Sequence, residues 1–285
     1  MTNYICTACG TQFAETDGKP EACPICEDER QYVPGGVQQW TTLDELRAKH
    51  RNSFRLEEDG LMAIGTVPDF AIGQRAFLVR GEGATVLWDC IALVDDATVE
   101  IVRGLGTPSA IAISHPHYYT TCVQWSRALG GIAVYLHAAD RRHVMRPDPA
   151  IHFWEGDAME LAPGLTLVRL GGHFAGGTVL HWAGGSGGRG TLLSGDVLQV
   201  NPDGRTVGFM RSYPNHIPLA AAEVQRIAES VSAYQFETVH GAFWGRSIRS
   251  AGRDGVLRSA ERYLAWVNAP AGEPESADGS PASAT

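Results

Sequence analysis

At four separate points in this 285-residue chain, an imidazole or a carboxylate follows directly on a short apolar run. His115-Pro116-His117 follows Ile111-Ala112-Ile113-Ser114. His173 closes Gly171-Gly172-His173, Asp196 closes Ser194-Gly195-Asp196, and His240 sits in Val239-His240-Gly241. Polar residues at strand ends collect along one edge of a sheet, where clefts form, and adjacent glycines let the backbone turn sharply. In an extended segment, residues two apart project to the same side, so His115 and His117 can reach one ion together. The pattern predicts an α/β domain that holds a metal ion on His115, His117, His173 and Asp196, with His240 close by.

The intervening segments alternate as an α/β fold requires. Ala76-Phe77-Leu78-Val79 and Thr85-Val86-Leu87-Trp88 flank Arg80-Gly81-Glu82-Gly83 and read as a hairpin. A helix over residues 121–129 and a strand over 132–136 follow the run into His115. Residues 165–170 form a strand into the His173 turn, and 178–182 with 191–194 form a hairpin around the glycine-rich stretch 184–190. Val224, Ile227, Ala228 and Val231 lie at helical spacing after Pro218. A strand over 236–239 delivers His240, and Val256, Leu257, Ala260, Leu264 and Val267 mark a last helix. Thr42-Leu43-Asp44-Glu45 forms a capping box that opens a short helix.

Near the start, Cys6-x-x-Cys9 and Cys23-x-x-Cys26 are separated by thirteen residues. Two such turns facing each other make a tetrahedral four-sulfur site. The segment is too short to fold on an apolar core alone, and a structural zinc supplies on the order of 10 kcal/mol of folding energy to a piece of this size. Pro34-Gly35-Gly36 breaks the chain. The organisation is thus a four-cysteine module over 1–34, a main domain over 35–268, and a Pro-, Ser-, Glu- and Ala-rich disordered tail over 269–285. Tyr4-Ile5-Cys6-Thr7-Ala8-Cys9-Gly10 and Cys23-Pro24-Ile25-Cys26 resemble a rubredoxin-like knuckle of the rubrerythrin type, which admits iron. Glu27 stands where rubredoxins usually carry glycine, which favours zinc. Cys90 and Cys122 read as small buried hydrophobes.

The order His-x-His, Gly-Gly-His173-x-x-Gly-Gly-Thr178, Ser-Gly-Asp196 and His240-Gly resembles the metallo-β-lactamase-fold superfamily over residues 61–267. The resemblance implies a four-layered αβ/βα sandwich with metals at the edge between the two sheets. It implies a first ion on His115, His117 and His173, Asp196 bridging to a second, and His240 serving that second. The family motif His-x-His-x-Asp-His reads His115-Pro116-His117-Tyr118-Tyr119-Thr120 here. Both replaced groups belong to the second metal, so the resemblance implies one zinc or iron at this site.

Three neutral imidazoles on zinc bring a coordinated water's pKa to roughly 7. That predicts hydrolysis of a small ester, thioester, lactone or related carbonyl substrate. Asp196 or His240 then serves as base, and Tyr119 donates a hydrogen bond to an oxyanion or ligates a ferric ion as phenolate. A mononuclear iron oxidoreductase is the alternative; it resembles persulfide dioxygenases and uses His115, His173 and Asp196. A binding protein that keeps the fold without turnover is the other. Trp88, Tyr118, Tyr119, Phe174 and Trp244 are the expected pocket walls. A net charge of −9, from 23 basic against 32 acidic residues, makes nucleic acid a poor general partner. The first residues lack a secretory pattern, and no apolar run is long enough to span a bilayer. The expectation is a cytoplasmic protein with a small-molecule substrate and no membrane partner; the oligomeric state is left open.

Overall fold

The computed structural model, described over residues 1–269, places two sheets face to face with helices on their outer sides. From residue 270 the expected tail lies outside the described residues. The first sheet runs Arg51–Glu58, Leu61–Val67, Arg75–Gly81, Ala84–Trp88, Ala110–Ala112, Ala133–His137, Ile151–Trp154. The second runs Ala158–Ala162, Leu165–Arg169, Thr178–Trp182, Thr191–Gly195, Thr238–Gly241, Ser247–Ile248. Pairing in the first sheet is antiparallel through the tight hairpins and becomes parallel once the helix Asp96–Gly106 intervenes. A crossover helix returns the chain to the same end of the sheet, as parallel pairing requires. The parallel pair Thr191–Gly195 with Thr238–Gly241 spans the helix Ala221–Ser232 in the same way.

Side-chain alternation along the strands builds the layers. Phe77 and Val79, with Val86 and Trp88, point between the sheets and meet Leu165, Leu167, Leu180 and Leu193 from the other side. Leu78 and Leu87 point outward to Val99, Val102, Val123 and Trp125 on the helices Asp96–Gly106 and Cys122–Ala128. Val168, Val179 and Leu192 point outward from the second sheet to Val224, Ile227 and Val256 on Ala221–Ser232 and Gly252–Val267. A strand covered on both faces needs apolar residues at consecutive positions, which is why Ala76-Phe77-Leu78-Val79 carries no polar break. Each fully buried Leu or Phe contributes about 1.5–3 kcal/mol. The result is the αβ/βα sandwich, with the four-cysteine module packed against it. Among the described residues, no helix is long and apolar enough to cross a membrane.

One buried cation ties the sheets together. The Arg75 side chain is fully buried; its Nε and Nη2 donate to the Gly241 carbonyl at 3.1 and 2.9 Å, and Nη1 donates to Glu57 Oε1 at 2.6 Å. Glu57, itself buried, also pairs with Arg55 and Arg249. Burial pulls Arg75 down to about 10, against the pull of Glu57, so it stays charged at neutral pH. Breaking a buried pair from one side leaves an uncompensated charge. Arg75→Ala should therefore destabilise the domain by about 3–5 kcal/mol, read as a lower urea midpoint; an unchanged midpoint would show the pair to be idle.

Candidate metal centre

The first sheet delivers the paired histidines. Asp89 Oδ1 accepts from the Ser114 backbone N–H at 2.7 Å, and Ser114 Oγ lies 2.9 Å from His115 Nδ1. That contact fixes the His115 ring with Nε2 turned inward. The backbone is extended at His115 and then folds into the 3-10 turn Pro116–Tyr118. His117 thus arrives by a turn, not by the extended spacing expected from sequence, and it presents Nδ1. From the second sheet, His173 follows Gly171 and Gly172, and its Nδ1–H donates to the Met210 carbonyl at 3.3 Å. Asp196 follows Gly195, whose φ is +53° and whose added Cβ would lie 2.5 Å from Ser114 Oγ. Only glycine lets the two sheets come this close here.

One donor atom from each of His115, His117, His173 and Asp196 lies within 4.8 Å of the others. Two nitrogens, each about 2.0–2.1 Å from one zinc at a tetrahedral angle, stand about 3.4 Å apart. His173 Nε2 and His117 Nδ1 are 3.3 Å apart. His115 Nε2 and Asp196 Oδ1 are buried without hydrogen-bond partners, a costly state for polar atoms that a cation relieves. The donor set fits one zinc or iron ion.

The electrostatics prepare the site for a cation. Burial, reinforced by the neighbouring basic groups, holds His115 and His117 well below the usual histidine range. Burial brings His173 down to about 4, with Arg30 and Arg211 acting the same way against its carbonyl hydrogen bonds. All three rings are neutral at pH 7 and keep a lone pair for metal. Burial pushes Asp196 up to about 7, opposed by the Tyr118 hydroxyl nearby. Tyr118 itself is raised by burial and by Asp196, and its hydroxyl makes no well-formed hydrogen bond.

The cysteine module forms both a second metal site and a wall of the first. Cys6 Sγ lies 3.6 Å from Cys26 Sγ, and Cys9 Sγ lies 3.7 Å from Cys23 Sγ. Sulfurs about 2.3 Å from a shared tetrahedral zinc stand about 3.8 Å apart, so these four buried thiols fit an ion too. The module's two-stranded sheet pairs Ile5–Cys6 with Trp40–Thr41, which draws in residues beyond Pro34-Gly35-Gly36. Arg30 Nε donates to the His173 carbonyl at 2.7 Å, and its guanidinium lies 4.5 Å from the Phe174 ring centroid. Ser212 Oγ donates to the Arg30 carbonyl at 3.2 Å, and Asn215 Nδ2 donates to the carbonyls of Glu29 and Gln31 at 3.0 Å. The Gln12 N–H donates to the Thr120 carbonyl at 3.0 Å. A cavity of about 300 Å³ leads to His117, His173 and Asp196; Arg30, Gln31 and Tyr32 line one part, and Ile72, Gln199, Tyr213 and Phe243 the rest.

No family model matches the chain. A protein of Bacillus subtilis (strain 168), the uncharacterized protein YmaE, is 46% identical over 270 residues, covering 94% of this chain and 98% of that one. The chain belongs to the YmaE family. Solved structures place its fold among the metallo-β-lactamases. The DIM-1 metallo-β-lactamase superposes with a TM-score of 0.57 at 13% identity, over 76% of this chain and 98% of that one. FIM-1 from Pseudomonas aeruginosa, in its mono-zinc form, gives 0.56 at 14% identity, over 77% and 97%. The enzyme from Hirschia baltica gives 0.52 at 17%, over 75% and 97%.

In this YmaE-family chain, two expected site residues stand elsewhere. His240 is not in the cluster: its Nδ1 lies 2.9 Å from Ser247 Oγ, and its Nε2 faces Glu58 Oε1 at 3.6 Å. The neighbouring strand Ser247–Ile248 supplies the serine. Tyr119 packs in the outer core of the first sheet with Val123 and Leu136, where burial raises its phenol well above the usual range. Tyr118 takes its place at the site, with its ring centroid 4.3 Å from that of His115. The expected walls Trp88 and Phe174 are buried, and Trp244 covers Gly65 and opens on a separate hollow. Burial pushes the Cys122 thiol up to about 12, which leaves it inert at neutral pH. Arg30, Gln199 and Tyr213 carried no local motif. Because Arg30 braces the backbone of a ligand, Arg30→Ala should weaken zinc binding at the histidine site by about 10–100-fold, measured by chelator competition, while the cysteine site keeps its ion. Equal affinities would show the brace to be dispensable.

Proposed function

We propose that this protein is a mononuclear metal-dependent hydrolase of a small ester, thioester, lactone or related carbonyl compound. The observation that carries this reading is the convergence of four buried donor atoms within 4.8 Å, with His117, His173 and Asp196 lining a cavity of about 300 Å³. A single ion on His115, His117 and His173 would supply Lewis acidity and activate water near neutral pH.

The chain's own groups divide the remaining tasks. Ser114 Oγ and the Met210 carbonyl hold the rings of His115 and His173 so that each Nε2 faces inward. Asp196 Oδ1 is buried beside the three rings with no other partner, which places the carboxylate to accept a proton and return it. The Tyr213 hydroxyl donates to the Gly208 carbonyl at 3.1 Å and accepts from the Gln199 N–H at 3.2 Å, which fixes the wall opposite the module. Gln31 and Gln199 offer hydrogen bonds to polar atoms of a substrate, and Ile72 and Phe243 offer it an apolar surface. The cavity admits a small molecule rather than a polymer segment.

One ion, not two, is supported by the other duties of the residues where a second would bind. Tyr119 packs in the core, the Thr120 carbonyl accepts from the cysteine module, and His240 Nδ1 lies 2.9 Å from Ser247 Oγ. FIM-1, with the same fold, is described in a mono-zinc form.

Metal analysis should find two ions per chain, one on the cysteines and one at the histidine site; three would overturn the mononuclear reading. With zinc in excess, Asp196→Asn should lower kcat on a small aryl ester or thioester by about 10²–10⁴-fold. His115→Ala should lose one ion and all metal-dependent turnover. Iron at the site, with oxygen uptake and no ester cleavage, would replace this reading by the oxidoreductase, and metal binding without any turnover by the binding protein.

A further inference from the structure

Arg30 also lines a second cavity, of about 470 Å³, behind the turn that carries His173. Four guanidinium groups, those of Arg30, Arg169, Arg211 and Arg226, face it against one carboxylate, Glu223. Asp28, Glu29 and Asp157 pair with three of these arginines from outside the lining, so the guanidinium groups themselves face the cavity. Ala220 lines it too; this residue caps the 12-residue helix Ala221–Ser232 and has no side-chain hydrogen bond to give. No side chain caps that helix; its Glu223 and Val224 N–H groups donate to the Ala220 carbonyl at 3.0 and 3.2 Å, and its positive dipole end faces the cavity. Gly171 keeps the wall clear: a Cβ there would lie 2.8 Å from Arg226 Nη2.

We propose that this cavity binds a small molecule through a diphosphate group. The arginines now pair with acids that are easily exchanged. Arg226 meets Glu223 at 2.7 Å, Arg211 meets Glu29 at 2.5 Å and Arg169 meets Asp157 at 3.5 Å, with carboxylate exposures of 45%, 58% and 94%. Exposed pairs of this kind contribute about 0–1 kcal/mol, whereas a guanidinium fork engages phosphate oxygens in two parallel, charge-assisted bonds. Arg30 is held by Asp28 at 2.6 Å and by the His173 carbonyl at 2.7 Å, and Arg226 Nη2 by the Leu170 carbonyl at 2.6 Å, so these two form the fixed side of the cavity. A lone carboxylate ligand carries one charge and fills one fork. Several forks and an uncapped helix end around a cavity of this size match two linked phosphoryl groups, each of about −1.5 to −2 charge when terminal. The assignment stands independently of the hydrolase reading.

Calorimetric titration of the full-length, metal-loaded protein with inorganic pyrophosphate, inorganic phosphate and acetate tests it. Pyrophosphate should bind saturably, more weakly as salt is raised, and about tenfold or more tighter than phosphate or acetate. The double variant Arg169→Gln/Arg211→Gln alters two partly exposed side chains and should lose about tenfold or more in that affinity. Pyrophosphate should also raise the Tm of the parent and not that of the variant. His115→Ala, which lacks the histidine-site ion, should keep pyrophosphate binding. Absence of saturable binding, equal affinity for all three anions, or binding that survives the arginine changes and vanishes with His115→Ala would each overturn the assignment.

Discussion

Three imidazoles and a carboxylate can lie buried side by side only if the rings stay neutral and the atoms turned away from the cluster are held. Ser114 holds the outer nitrogen of His115, and the Met210 carbonyl holds that of His173. His117 Nε2 is the exception, buried with no hydrogen-bond partner. Burial itself keeps all three rings uncharged. What remains is a set of inward-facing lone pairs that repel one another until a cation is shared among them. The glycines at 172 and 195, the Asp89 contact to Ser114 and the short turn after His115 all serve this one approach of two sheets.

The cysteine module is part of that arrangement rather than an appendage to it. Its segment after Cys26 supplies Arg30 to the backbone of His173, and its carbonyls receive Ser212 and Asn215 from the stretch that also holds the His173 ring. Both supports of one ligand therefore depend on the docked module. A fold of four thiols around an ion is rigid at a size where an apolar core would not be. The four cysteines also pack with Ile25, Phe13 and Trp40, and the module supplies Arg30, Gln31 and Tyr32 to one wall of the cavity.

The ligand positions were legible because metal chemistry uses few residue types, and glycines mark where the backbone turns. The strands Arg75–Gly81, Ala84–Trp88 and Thr191–Gly195 were legible because burial on both faces demands unbroken apolar runs. The edge strand Arg51–Glu58 was missed; it is mostly exposed or half-buried and carries Arg51, Asn52, Arg55 and Glu57 among its residues. His240 was misread because its local context, a strand end followed by glycine, is the same as that of a ligand. Its hydrogen-bond partner, Ser247, comes from another strand. Tyr119 was expected at the site and Tyr118 only as a wall; Tyr118 stands beside His115 instead, because a 3-10 turn rotates each residue by about a third of a circle, which adjacent identical letters cannot reveal. Arg30 had no signal, since its meaning lies in a contact between distant parts of the chain.

Thr120 occupies a left-handed conformation, with φ of +35°; its carbonyl receives Gln12, and its methyl lies against Gly10. This is the position where the resembling superfamily motif carries its last histidine. The Thr120 methyl stands between this loop and Gly10 of the cysteine module, so the side chain at 120 is part of the module's docking surface. A larger side chain at 120 therefore presses on the docked N-terminal module first, and through it on the wall that Arg30 supplies to His173.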